Sequence, residues 1–458
     1  NAPGQDRNLR RGMKSIGCPS MNAATILLYL TGNAAAIRKV ASSRAAVPTG
    51  ILLVLTAGVA RNYDQMWFGD SAYWLFGPLI FSIFSGLWLK LFVLDAWTGR
   101  SLLLPGGLQE RKPDDESPPK RAAIHASVSF FGLFWMTAPV AWLYAIPVER
   151  WCDEVEAAKW NLRLLGVVAL WRVLLMSRVV SVIGKWPFLY SFGRVLLPAA
   201  MEAGALTMVG KMISRNLMAA MAGLRMSPAE RVLDEGYDFV LSAVFPVFLG
   251  AVLIVAIYSL RGRVKTSQWK PVPSTGGDKM PWLFLLIVAG LWTGVSLPAQ
   301  QEQKLSREAK ELAAEKNWAG LLTFLSKHEK SDFSPSRALP PAIFEAGITG
   351  ELPDLFAGMS SQTAPWVRSH YLQRLGRLLS MADYRKRFNY VEAGRLVTSL
   401  GGLEEGPAFA KEHESLLREI LESPLKDGDR TDGGEKEVYD RAHIVLEELL
   451  KKAGGAPP

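Results

Sequence analysis

Apolar residues fall in long blocks over the first two thirds of the chain and in helical stripes over the last third. A bilayer-spanning helix needs about 20 mostly apolar residues. Seven blocks approach that length: 45–60, 73–94, 124–146, 162–183, 191–210, 239–260 and 281–299. The fifth, "SFGRVLLPAAMEAGALTMVG", is the weakest. Trp and Tyr gather near several block ends, as an interfacial belt does. Ahead of the first block, "MNAATILLYLTGNAAAIRKVASS" is too short to cross and ends in Arg38 and Lys39, which predicts an amphipathic interfacial helix. From Gln300 the period changes, with apolar residues three and four apart in "WAGLLTFLSKH" and "VYDRAHIVLEELLKK". Helices are predicted there over 302–315, 318–328, 365–381, 384–400, 407–421 and 434–452, with an irregular Pro-rich stretch over 331–359. "SPAERVL" (227–233) carries a capping Ser, an N1 Pro and Glu230, and predicts a short surface helix.

The expected fold is therefore all-α: a polytopic transmembrane helical bundle of about seven spans with a C-terminal soluble α-helical domain. The domains are a disordered or upstream segment over 1–20, an interfacial helix over 21–44, the bundle over 45–299 and the helical domain over 300–458. Met13 and Met21 are alternative starts, so residues 1–20 are expected to carry no fold.

Charge orients this plan. Residues 300–458 hold 22 Lys and Arg against 25 Asp and Glu, leaving 30 against 18 for the first part. The basic excess of the whole chain thus belongs to the membrane half, where Lys and Arg mark cytoplasmic loops. A cytoplasmic N-terminus places most of it correctly, loop 211–238 being the misfit. Seven spans put residues 300–458 outside; six would keep them inside. "QERKPDDESPPK" (109–120) and "KPVPSTGGDK" (270–279) read as cytoplasmic linkers. No basic stripe with stacking aromatics points to nucleic acid.

Chemical signatures are few. Cys18 and Cys152 stand far apart and make no disulfide framework. "SIGCP" lacks the apolar core a lipoprotein signal needs. Phosphate-loop, dinucleotide, zinc-protease and nucleophile-elbow motifs are missing. The five histidines are scattered. "KDGDRTDGGEKE" (426–437) imitates a calcium loop but has Asp432 where Gly is needed and Val438 where Glu is needed. No metal or cofactor is predicted.

Charges inside the spans are more informative. Lys90, Arg163 and Arg178 lie near span ends and can snorkel. Arg172 lies eleven residues from Ile183, roughly 16 Å at the helical rise. An ion at that depth costs ~2.5–3.5 kcal/mol on insertion scales. Glu202 lies eleven residues from Ser191 in the next, antiparallel span, at the same depth. Arg172 and Glu202 are therefore the candidate intramembrane pair, either clamping two helices or lining a polar cavity. Arg61, Tyr63 and Asp64, just after the first span, form a candidate outer rim.

"LYLTGNAAAIRKVASSRAAVPTGILLVLTAGVARNYD" and "FFGLFWMTAPVAWLYAIPVERW" resemble segments of a group of uncharacterised bacterial multi-pass membrane proteins. The likeness runs from about Leu28 to "APWVRSHYL" (364–372) and implies architecture only. A weaker likeness is to Yip-type membrane proteins, from which the large C-terminal domain departs. "EKNWAGLLTFLSKH" resembles one helix of a tetratricopeptide-type repeat, but no second copy follows. The expected function is a non-enzymatic scaffold or assembly component of a bacterial inner membrane, contacting lipids and docking a protein partner through 300–458. The alternatives are a transporter or channel-like component using the Arg172/Glu202 level, and a membrane enzyme without a recognisable signature.

Overall fold

The computed structural model describes residues 21–64, 66–93, 120–220, 228–261, 280–333, 339–340, 351–380, 385, 388, 390–422 and 433–455. The expectations for 1–20 (with Cys18), the linkers 109–119 and 270–279, and the calcium-like stretch at 426–432 lie outside the described residues. Among the described residues every regular element is helical.

Two units are separated near Gln300. The first holds α1 (Ala23–Leu30), α2 (Ala34–Ser42), α3 (Ala46–Asn62), α4 (Gly77–Val93) and α5 (Lys120–Trp135). A 3₁₀ helix over Ala138–Ala145 follows, then α6 (Glu154–Gly184), α7 (Phe188–Ala220), α8 (Pro228–Leu260) and α9 (Trp282–Ala314); the ends of α7 (from Arg215) and of α9 (from Gln301) belong to the second unit. Five stretches are long and apolar enough to cross a membrane: 125–150, α6, α7, α8 and α9. α2 and α3 meet at 108° and count as a sixth only if taken as one broken span, and α4 is apolar with 17 residues. The weak block at 191–210 is the middle of the 33-residue α7. The surface helix expected over 227–233 is instead the first turns of α8, because nothing interrupts the helix between Pro228 and Leu260.

Local signals set the ends. Asp153 caps α6 by accepting from the Glu156 amide at 2.8 Å. Asn22 and Asn33 cap α1 and α2, and Gly32 between them adopts φ +77°, the left-handed turn residue that reverses the chain. The single interfacial helix expected over 21–44 is thus a helical hairpin. Ile26, Tyr29, Ile37 and Val40 are fully buried in the same core as Leu133, Met136 and Val179. Burial wins over interfacial exposure because the apolar side chains of α1 and α2 find partners on α5 and α6.

Packing registers give the helix directions. Gly132 faces Ala46, Gly50 faces Trp135, Thr56 accepts from the Trp142 indole and Tyr63 donates to the Ala145 carbonyl. Numbers rise together, so α3 runs parallel to α5 and the 3₁₀ helix. Ser85 contacts Glu202, Trp88 contacts the Pro198 carbonyl and Arg194 the Phe92 carbonyl, so α4 and α7 are antiparallel. Gly193 faces Ile254, Gly204 faces Val244 and Lys211 pairs with Asp234 and Asp238, so α7 and α8 are antiparallel. Trp292 packs on Trp142 and Gln300 binds the turn at 63–68, so α9 runs with α3.

The outward faces of α8 and α9 carry Phe239, Phe245, Leu253, Leu283, Leu286 and Leu291, all well exposed. Such surface fits hydrocarbon rather than water; the unit has the make-up of a membrane protein.

The second unit holds α10 (Trp318–Ser326), α11 (Leu352–Ala357), α12 (Pro365–Ser380), α13 (Tyr390–Leu400), α14 (Gly406–Glu412), α15 (Glu414–Glu422) and α16 (Gly433–Gly455) around one core. The helix expected over 302–315 is the end of α9, and the one expected over 407–421 breaks at His413 into α14 and α15. Part of the stretch read as irregular, 352–357, is helical, with Leu352, Leu355 and Phe356 in the core. Buried Arg368 donates to Glu405 at 2.9 and 3.0 Å and to the carbonyls of Ser361 and Thr363, joining α12 to α14. Ile444 is the one large hydrophobic among the described residues of this unit that stands widely exposed.

Candidate functional site

The site is built where a helix stops inside the first unit. α5 ends at Trp135, and Pro139 follows in "WMTAPVAW"; the chain resumes as the 3₁₀ helix Ala138–Ala145. Proline removes an amide donor and clashes with the preceding turn, so the α-helix cannot pass it unchanged. Terminal carbonyls of α5 are left without helical partners. Buried Tyr29 donates its hydroxyl to the Leu133 carbonyl at 2.5 Å, and the Phe134 carbonyl accepts from both the amide and the hydroxyl of Thr137, at 3.2 and 2.7 Å.

Arg172 of α6 faces this break. Its Nε donates to Thr137 Oγ1 at 3.3 Å and its guanidinium lies over the Phe134 ring, 5.3 Å from the centroid. A cation is favoured at a helix C-terminus and over an aromatic face, which is why the break tolerates it. Neither Nη1 nor Nη2 bonds to any described residue, and Arg172 is half-buried.

The expected partner stands apart. Glu202 is within electrostatic reach of Arg172 but forms no ion pair with it; its carboxylate accepts from Ser85 of α4. Residue counting puts both groups at one depth but says nothing of azimuth, and α4 supplies the nearer donor.

Tyr144 is the residue that counting misses. It lies in the 3₁₀ helix, within electrostatic reach of both Arg172 and Arg61, and its hydroxyl makes no hydrogen bond to a described residue. From sequence it belongs only to the aromatic belt; the signal that could have found it is Pro139, which makes the segment a broken span.

The rim expectation divides. Arg61 is exposed and within electrostatic reach of Tyr144. Tyr63 is a buried anchor: its hydroxyl donates to the Ala145 carbonyl at 2.9 Å and its ring packs on Trp292. Gln300 closes the following turn, its amide donating to the Tyr63 and Met66 carbonyls at 2.8 Å and accepting from the Phe68 amide at 2.7 Å. Asp64 is half-buried beside that turn. Tyr144 thus lies within electrostatic reach of both Arg61 and Arg172, whereas Tyr63 serves packing.

Among the described residues no cluster of three or more His, Cys, Asp or Glu could hold a metal ion. No family model, no curated protein and no solved structure matches this chain.

Proposed function

We propose a seven-span integral protein of a bacterial inner membrane that works as a transporter- or channel-like component, with the Arg172 centre as its polar site. The carrying observation is the guanidinium at an interrupted helix whose terminal nitrogens have no partner among the described residues. A clamp between helices would aim those donors at a carboxylate. Broken helices and intramembrane ions mark sites that meet polar cargo. The parallel course of α3, α5 and α9 and the antiparallel pairs α4–α7 and α7–α8 support seven crossings; the basic charge of the N-terminal segment supports a cytoplasmic N-terminus, which puts residues after 300 outside.

The scaffold reading is weaker on this geometry. Docking through 300–458 calls for an apolar groove, and the described surface there offers Ile444 alone among large hydrophobics. A partner of that unit would be met by charge.

The test is access. Arg172→Cys is introduced into a chain with Cys18 and Cys152 replaced by Ser, and sealed vesicles are treated with a membrane-impermeant, negatively charged thiol reagent. The thiol introduced at position 172 is expected to react, whereas a Leu175→Cys control, buried in the core, stays unlabelled. Equal protection of both would sink the polar-site reading.

A further inference from the structure

We propose that the Arg172 centre binds an oxyanion that offers two adjacent oxygens, a phosphate group, and that Arg61 and Tyr144 lead it in from the end of α3. This rests on the polar-site reading above and adds the chemistry of the ligand.

Three observations converge. First, the structural needs of the helix break are met without the fork of Arg172. Tyr29 and Thr137 take the Leu133 and Phe134 carbonyls, and Arg172 uses only Nε, on a hydroxyl. Any cation would serve the helix end; a planar fork is what matches two oxygens of one anion. Second, the nearby carboxylate is engaged elsewhere, since Glu202 accepts from Ser85. The cation is not neutralised by contact. Third, Tyr144, with a hydroxyl that has no described partner, lies within electrostatic reach of both guanidinium groups, and Arg61 and Tyr144 flank the Tyr63–Ala145 hydrogen bond that joins the end of α3 to the 3₁₀ helix. The three groups form a file from the end of α3, where Tyr63 meets Ala145, to the helix break. Successive positive charges raise the local concentration of an anion along such a file.

The ligand could be a free phosphate or a lipid phosphate headgroup, and the experiment separates them. Full-length protein is freed of lipid in a maltoside detergent and its thermal midpoint is followed by tryptophan fluorescence. One arm adds inorganic phosphate, compared with sodium chloride at equal ionic strength. The other adds phosphatidylglycerol, compared with a phosphate-free galactolipid. The expected result is a rise of about 2–4 °C in one arm at saturating ligand. Arg172→Lys should remove the rise although it keeps the charge, and Tyr144→Phe should shrink it. A rise with inorganic phosphate identifies a small solute; a rise only with phosphatidylglycerol identifies a headgroup. No rise in either arm, or an equal rise in Arg172→Lys, overturns the proposal. If the Arg172→Cys thiol is reactive in vesicles while both arms are flat, the ligand class alone is wrong; if that thiol is protected, the polar site itself fails.

Discussion

Tyr29 shows how one hydroxyl can hold an interrupted helix. Its oxygen is buried and donates at 2.5 Å to the Leu133 carbonyl, a group that α5 itself leaves unpaired. Tyr29→Phe keeps the ring and strands that carbonyl. Leaving a buried acceptor unsatisfied costs about 1–3 kcal/mol. The expected outcome is a lower thermal midpoint for Tyr29→Phe in detergent, together with faster proteolysis near 133–145. An unchanged midpoint would mean the carbonyl finds another donor. His370 gives a second residue-scale expectation, in the second unit. Burial first, then the charges of Arg374, Lys330 and Arg377, push its pKa down to about 4. Its Nε2 is buried without a partner, so nothing offsets protonation. In the unfolded chain an ordinary histidine takes its proton near pH 6.5. The neutral folded form therefore contributes stability that is full above pH 6.5 and is lost as pH falls from there to about 4. The ring is partly exposed, so the loss is about 2 kcal/mol at most rather than the full linkage value. Urea unfolding of the full chain between pH 7 and pH 4, read by proteolysis within 301–455, should show this slope in wild type and a shallower one in His370→Gln.

At the scale of elements, α3 is selected for close approach rather than for span length. A Cβ on Gly50 would lie 2.7 Å from the Trp135 Cβ, and one on Gly132 would lie 3.1 Å from the Ala46 Cβ. Small residues let membrane helices pack backbone to backbone. Gly50→Ala should force α3 from α5 and cost about 1–3 kcal/mol by overpacking. A drop in midpoint that Trp135→Phe does not relieve is the expected outcome, because the clash is with Cβ and not with the ring. The spans are readable because apolar blocks of that length have no comfortable place in water. The α1–α2 hairpin is not: its stripe is equally suited to an interface or to a protein groove, and only the surfaces of α5 and α6 decide between them. Likewise "QQEQKLSREAKELAA" reads as a fresh polar helix but continues α9, since Pro298 sits inside the helix without ending it. Proline inside a long helix is tolerated when neighbouring groups satisfy the freed carbonyl.

At the scale of the whole molecule, the parallel run of α3, α5 and α9 and the antiparallel run of α4 against α7 and α7 against α8 make a consistent up-and-down path. A compartment-sensitive reporter fused after Pro458 is expected to read outside, and one placed within 109–120 to read inside. Both reading inside would require an even number of crossings after residue 120 and would overturn the seven-span proposal. Lys211, which counts against this topology as a loop charge, is buried at the α7–α8 contact with Asp234 and Asp238, so it acts as a packing group there.

Local composition alone determined that the chain is helical, that its first two thirds carry long apolar blocks and its last third is polar, and that Arg172 stands inside one of those blocks. Those properties follow from hydration and periodicity, which act on each segment without reference to the rest. Tertiary structure decided what Arg172 faces. Depth can be counted along a helix at a fixed rise, but azimuth and register depend on all the neighbours at once. That is why Ser85 takes Glu202, Thr137 takes Arg172, and Tyr144, in a different element of the chain, comes within electrostatic reach of Arg172.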